Sequence, residues 1–157
     1  MNINLDKKDD NQLMTLFHNA RNHADRVRAN KIKQEIYAIW EARNKQLCSG
    51  STISIVFSDG VLKAFRYGVG DSGISNETER RQILDHVLEA PIPPVKDKSY
   101  TLEWGKPRSL KRKEKLIRTL RGLIAAKERM TSYHRSSFNR AIHQWKDDLR
   151  YLTANLA

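Results

Sequence analysis

Apolar residues recur every three or four positions along most of this chain, which is the period of an α-helix. Leu13, Leu16, Phe17 and Ala20 form the first such face, and Asp9 or Asp10 stands where a carboxylate caps the free N–H groups of a helix start. The pattern weakens over residues 22–25. It resumes with Ile32, Ile36, Ile39, Trp40, Arg43 and Leu47, and Cys48-Ser49-Gly50-Ser51 ends it with a glycine suited to a left-handed cap. These two segments predict an antiparallel helix pair. A third helix is predicted from Asn76, with Glu79 at capping-box spacing and Ile83, Leu84, Val87 and Leu88 as its buried face; Ala90-Pro91 stops it. Ser109 caps a fourth, whose apolar arc is Leu110, Leu116, Ile117, Leu120, Leu123 and Ile124. Ser136 or Ser137 caps a fifth, in which Phe138, Ala141, Ile142, Trp145, Leu149, Leu152 and Leu156 make a seam for packing on the fourth.

The period changes in the middle of the chain. Thr52 to Phe57 alternates and is rich in β-branched residues, Ser58-Asp59-Gly60 is a turn signal, and Val61 to Tyr67 reads as a return strand. A β-hairpin is the expectation; a short helix over residues 60–66 competes, because Leu62 and Phe65 also suit that period. Pro91-Ile92-Pro93-Pro94-Val95 reads as a stiff extended connector and spacer. Residues 96–99 read as a loop, and Tyr100–Gly105 as a short strand or ordered loop with Trp104 as an anchor under the last two helices. The expected fold class is mainly α, about five helices with a small β-hairpin in the middle and a C-terminal antiparallel helix pair. The expected organisation is a helical and hairpin part over 1–90, a Pro-rich connector over 91–105 and a basic helical hairpin over 106–157, all in one compact domain.

Charge alters this picture at one place. The chain carries a formal net charge of +11 over 157 residues. Residues 106–129 hold ten Lys or Arg against Glu114 and Glu128, a net +8, whereas residues 1–105 hold 15 basic and 14 acidic residues. A local excess of this kind points to a polyanionic partner. Projected on a helix, Lys111, Lys115 and Arg118 lie opposite the apolar arc, with Arg112 and Arg121 flanking them and Gly122 on the same side. Lys113 and Lys127 fall on the apolar side and are expected to snorkel. An ordinary solvated helix face mixes signs to form i,i+4 pairs; this one tolerates like-charge repulsion. Tyr133 and Arg135 in the following turn are expected as further contacts, since an aromatic beside cations stacks on a base.

Other chemistry is sparse. Gly68-Val69-Gly70-Asp71-Ser72-Gly73 matches G-x-G-x-x-G, but a dinucleotide fold needs several βαβ units. The plain expectation is a flexible turn; a narrower one is a phosphate held by Gly70 and Gly73, the next helix start, Arg80 and Arg81. The five histidines lack metal-ligand spacing, so no metal or cofactor is expected. The single cysteine fits a reducing cytosol and hence a cytoplasmic location. No apolar run suggests a membrane span, and the first residues do not resemble a signal peptide. These observations favour a nucleic-acid-binding protein, of DNA or RNA, that grips the phosphate backbone through the basic helix. Two other classes fit less well. One is an inhibitor or assembly module docking on an acidic protein. The other is a small metal-dependent nuclease using the middle loops. The last seam is regular enough to join a second copy as a homodimer.

Overall fold

The computed structural model describes residues 4–49, 59–95, 97–130 and 136–154. Among them are seven α-helices: α1 (Asp10–Arg21), α2 (Arg26–Cys48), α3 (Val61–Ala64), α4 (Glu77–Glu89), α5 (Lys98–Glu103), α6 (Leu110–Glu128) and α7 (Asn139–Ala154), with a 3-10 turn at Leu5–Lys7 ahead of them. The described residues contain no strand beyond an isolated bridge at Val95. The mainly α class holds and the hairpin does not. Its return strand is the helix α3, in which the Ala64 N–H donates to the Gly60 carbonyl at 3.0 Å. Val61, Ala64 and Phe65 are all buried, a spacing of three and four that serves one helical face and not the alternating faces of a strand. Gly60 enters the turn at φ 103°, which only glycine adopts freely. The alternating segment 52–57 lies outside the described residues.

Two compact units divide the chain, one of Met1–Ala64 with Ala90–Glu103, the other of Phe65–Glu89 with Trp104–Ala157. In the first, α1 packs on α2. Phe17 of α1 meets Trp40 of α2 with ring centroids 5.5 Å apart, and Leu13, Met14, Ile36 and Trp40 are closed off from solvent. The two candidate caps have separate roles. Asp9 accepts from the Gln12 N–H and forms a capping box with it. Asp10 turns inward to the Arg43 guanidinium at 2.5 Å, and burial pushes its carboxyl above the usual range despite that partner. Arg43 also donates to the Lys8 carbonyl at 2.7 Å, so this cation in the apolar series ties the start of α1 to α2.

The Pro-rich segment, expected as a stiff extended connector, is buried along its length over residues 91–95, and the Asn44 side-chain amide donates to the Ile92 carbonyl. Proline suits that placement because it carries no N–H that burial would leave unmatched. One expectation in this unit is corrected: residues 98–103 form the helix α5, where a loop followed by a short strand or ordered loop was expected. Its signal is Asp97, whose carboxylate accepts from the Tyr100 N–H at 2.8 Å. The Tyr100 hydroxyl in turn accepts from the Val61 N–H at 3.1 Å, which fixes the start of α3.

The second unit is built on α4, α6 and α7. The C-terminal end of α6 meets the start of α7, where the Lys127 ammonium lies 4.0 Å from the centre of the Phe138 ring. Lys146 of α7 pairs with Glu128 of α6 at 2.7 Å. A buried ion pair joins α4 to α7: Arg80 Nε donates to Asp148 Oδ2 at 2.8 Å, with both side chains almost fully enclosed. The Tyr67 hydroxyl donates to the same carboxylate oxygen at 2.7 Å. At the rim, the Tyr151 hydroxyl donates to Asp85 Oδ1 at 2.9 Å, and the Arg81 guanidinium sits 4.9 Å over the Tyr151 ring.

Candidate nucleic-acid interface

The basic helix α6 is ordered from its cap onward. Ser109 Oγ accepts from the Arg112 N–H at 3.1 Å, satisfying one of the free donors of the first turn. Leu116, Ile117, Leu120 and Ile124 are buried, so the opposite side is fixed toward solvent. Leu110, expected in the apolar arc, sits 67% exposed at the first position of the helix.

The predicted cations separate into three environments. Arg112 is enclosed, at 1% exposure, and does not belong to the surface stripe. Its Nε donates to the Trp104 carbonyl at 3.0 Å, and its two terminal nitrogens donate to the Val87 carbonyl at 2.7 Å and the Gly105 carbonyl at 3.0 Å. Burial lowers its pKa to about 10, which still leaves it charged at neutral pH. This guanidinium holds the end of α4 and the Trp104–Gly105 turn against α6. Helical projection missed this because 100° from the stripe centre is a boundary, and only the neighbouring backbone decides which way such a side chain turns.

Lys115 is half-buried, its ammonium 5.8 Å over the Trp104 ring. Lys111 is exposed, and its aliphatic stem runs against Gly105, where a Cβ would meet it at 3.0 Å. Arg118 and Arg121 are exposed on the outer face. Arg129, the C-cap residue, is exposed as well, and it stands 18 residues from Lys111, five full helical turns. That spacing was legible in the sequence and places Arg129 on the line of the stripe. Among the described residues, Lys111, Arg118, Arg121 and Arg129 make no ion pair. Glu114 is the acid on this side of α6. Gly122 lies among these cations, exposed, and a Cβ there would meet no atom within 4 Å. Tyr133 and Arg135 lie outside the described residues.

The glycine-rich loop is committed to its own packing. The Gly70 N–H donates to Gln144 Oε1 of α7 at 2.7 Å, the Gly73 N–H to the Gly70 carbonyl at 3.2 Å and the Ile74 N–H to the Gly68 carbonyl at 3.0 Å. A Cβ on Gly73 would fall 2.4 Å from the Val69 nitrogen, so this glycine is required by a backbone crossing within the loop. Arg80 donates to Asp148 and, through its Nη1, to the Ile74 and Ser75 carbonyls at 3.0 Å each. Arg81 pairs with Glu77. Both arginines are thus engaged within the protein, and Gly70 and Arg80 tie the loop and α4 to α7.

No helix among the described residues is long and apolar enough to cross a membrane. No protein-family model, curated protein or solved structure matches the chain.

Proposed function

We propose that the chain binds nucleic acid by laying the outer face of α6 against the phosphate backbone. The observation that carries this reading is a capped helix with Lys111, Arg118, Arg121 and Arg129 exposed along one side, where no ion pair among the described residues consumes their charge. Lys115 adds to the field from its shelf on Trp104. Ordered cations cost less conformational entropy to engage than cations on a flexible arm. The contacts are electrostatic, so affinity is independent of sequence and falls steeply with salt. A cytoplasmic location is part of the same reading.

The test is a triple variant, Lys111→Ala, Arg118→Ala and Arg121→Ala, in filter binding with duplex DNA, single-stranded DNA and RNA over a salt series. Binding weakens at least tenfold, and the slope of log affinity against log salt falls by about 2 to 3. A control removing Arg28, Lys31 and Lys45 from α2, all exposed, changes the net charge equally and leaves most of the affinity. A parent chain that retards none of the three ligands at moderate salt overturns the reading and turns attention to an acidic protein partner.

A further inference from the structure

The fold does not explain the identity of Gly122 in α6. It lies inside a 19-residue helix, where glycine is the least favoured residue after proline. Its backbone is ordinary, with no left-handed φ, and open space surrounds the position a Cβ takes. The other described glycines of this unit differ: Gly73 meets backbone, Gly70 and Gly105 have positive φ, and Gly68 touches Gly73. Nothing among the described residues needs residue 122 to lack a side chain.

Its surroundings are cationic. On the helical projection Gly122 lies within about 40° of Lys111, Arg118 and Arg129, which span about 27 Å along the axis. A stiff polyanion that touches Lys111 and Arg118 at one end and Arg129 at the other must pass directly over residue 122. A bulky side chain there fills the gap between the flanking cations, and the Coulomb attraction of each falls if the polyanion is held further off. A flexible strand bows around such an obstacle. A duplex does not, since it stays straight over about 150 base pairs.

We infer that Gly122 is the contact centre of the α6 face and that the ligand of this face is double-stranded nucleic acid, held by its backbone across the bare helix surface. This rests on the proposed nucleic-acid reading and narrows it to one class of ligand.

The experiment compares the parent with Gly122→Ala and Gly122→Leu, using a 20-base-pair duplex and the corresponding single strand at about 0.1 M salt. Both substitutions favour the helix and raise the melting temperature by about 2 to 4 °C, so a loss of binding is not a loss of fold. Gly122→Leu lowers duplex affinity at least tenfold and single-strand affinity less than threefold, with Gly122→Ala intermediate. Unchanged duplex affinity in Gly122→Leu overturns the inference and leaves the proposed function standing, provided the triple cation variant still loses binding. A parent that binds single strands but not the duplex also overturns it. A parent that binds neither overturns both.

Discussion

Replacing Arg112 by Met separates the buried from the exposed part of the basic helix. Methionine keeps the unbranched stem and removes the guanidinium, which donates to the carbonyls of Trp104, Val87 and Gly105. Each bond from a charged donor contributes about 2 kcal/mol, a gross of about 6 kcal/mol. Against this stands the cost of keeping a guanidinium out of water. Its pKa is pushed down to about 10 for that reason, which corresponds to about 3 kcal/mol recovered on substitution. The net loss is about 3 kcal/mol, because carbonyls that lose their donor cannot reach water instead. For a chain of this size that lowers the melting temperature by about 6 to 12 °C. Arg118→Met, on the exposed face, changes stability by less than about 0.5 kcal/mol. The assay is thermal and urea denaturation of both variants beside the parent, followed by duplex binding at a temperature where all three are folded. Arg112→Met should bind within about twofold of the parent, its guanidinium having faced inward, whereas Arg118→Met binds more weakly with a shallower salt slope. If Arg112→Met melts within about 1 °C of the parent and instead loses duplex affinity, the inward placement of this residue is refuted.

Four substitutions probe the second unit further. Asp148→Asn leaves the enclosed Arg80 without its counter-ion and should destabilise by about 3 to 5 kcal/mol in urea titration; a loss below about 1 kcal/mol would contradict the buried pair. Gly73→Ala forces backbone apart where a Cβ would lie 2.4 Å from the Val69 nitrogen, so it should cost more than about 2 kcal/mol. Gly122→Ala, with open space at its Cβ, should stabilise, and this opposite sign within one chain is the check. Asp85 has its carboxyl raised above 3.8, first by burial and with a smaller push from Glu89, while the Tyr151 hydroxyl pulls the other way. A raised folded value means that the native state holds its proton more tightly than the unfolded chain. The resulting stability is complete below 3.8 and is lost as pH rises through the folded value. Asp85→Asn should therefore trail the parent by more at about pH 3 than at about pH 7; a constant difference in denaturation midpoint would rule the shift out.

The sequence alone determined the long helices. Their apolar residues repeat at the helix period, and Asp9, Asn76 and Ser109 cap them by chemistry that acts within three residues. It also located the excess charge on α6 and the side of that helix that faces solvent, because a buried stripe leaves its opposite face exposed. What it left undecided depends on partners distant in the chain. Val61–Tyr67 has the composition of a strand, but α3 is set by the Gly60 turn and by a hydroxyl 39 residues away. The Pro-rich segment is polar-poor and short, so only its packed neighbours show that it is buried. Arg80 and Arg112 look like surface cations in any local window. Only the tertiary structure places Asp148 and the three carbonyls around them, since the free energy of burying a charge depends on what surrounds it and not on its position in a repeat.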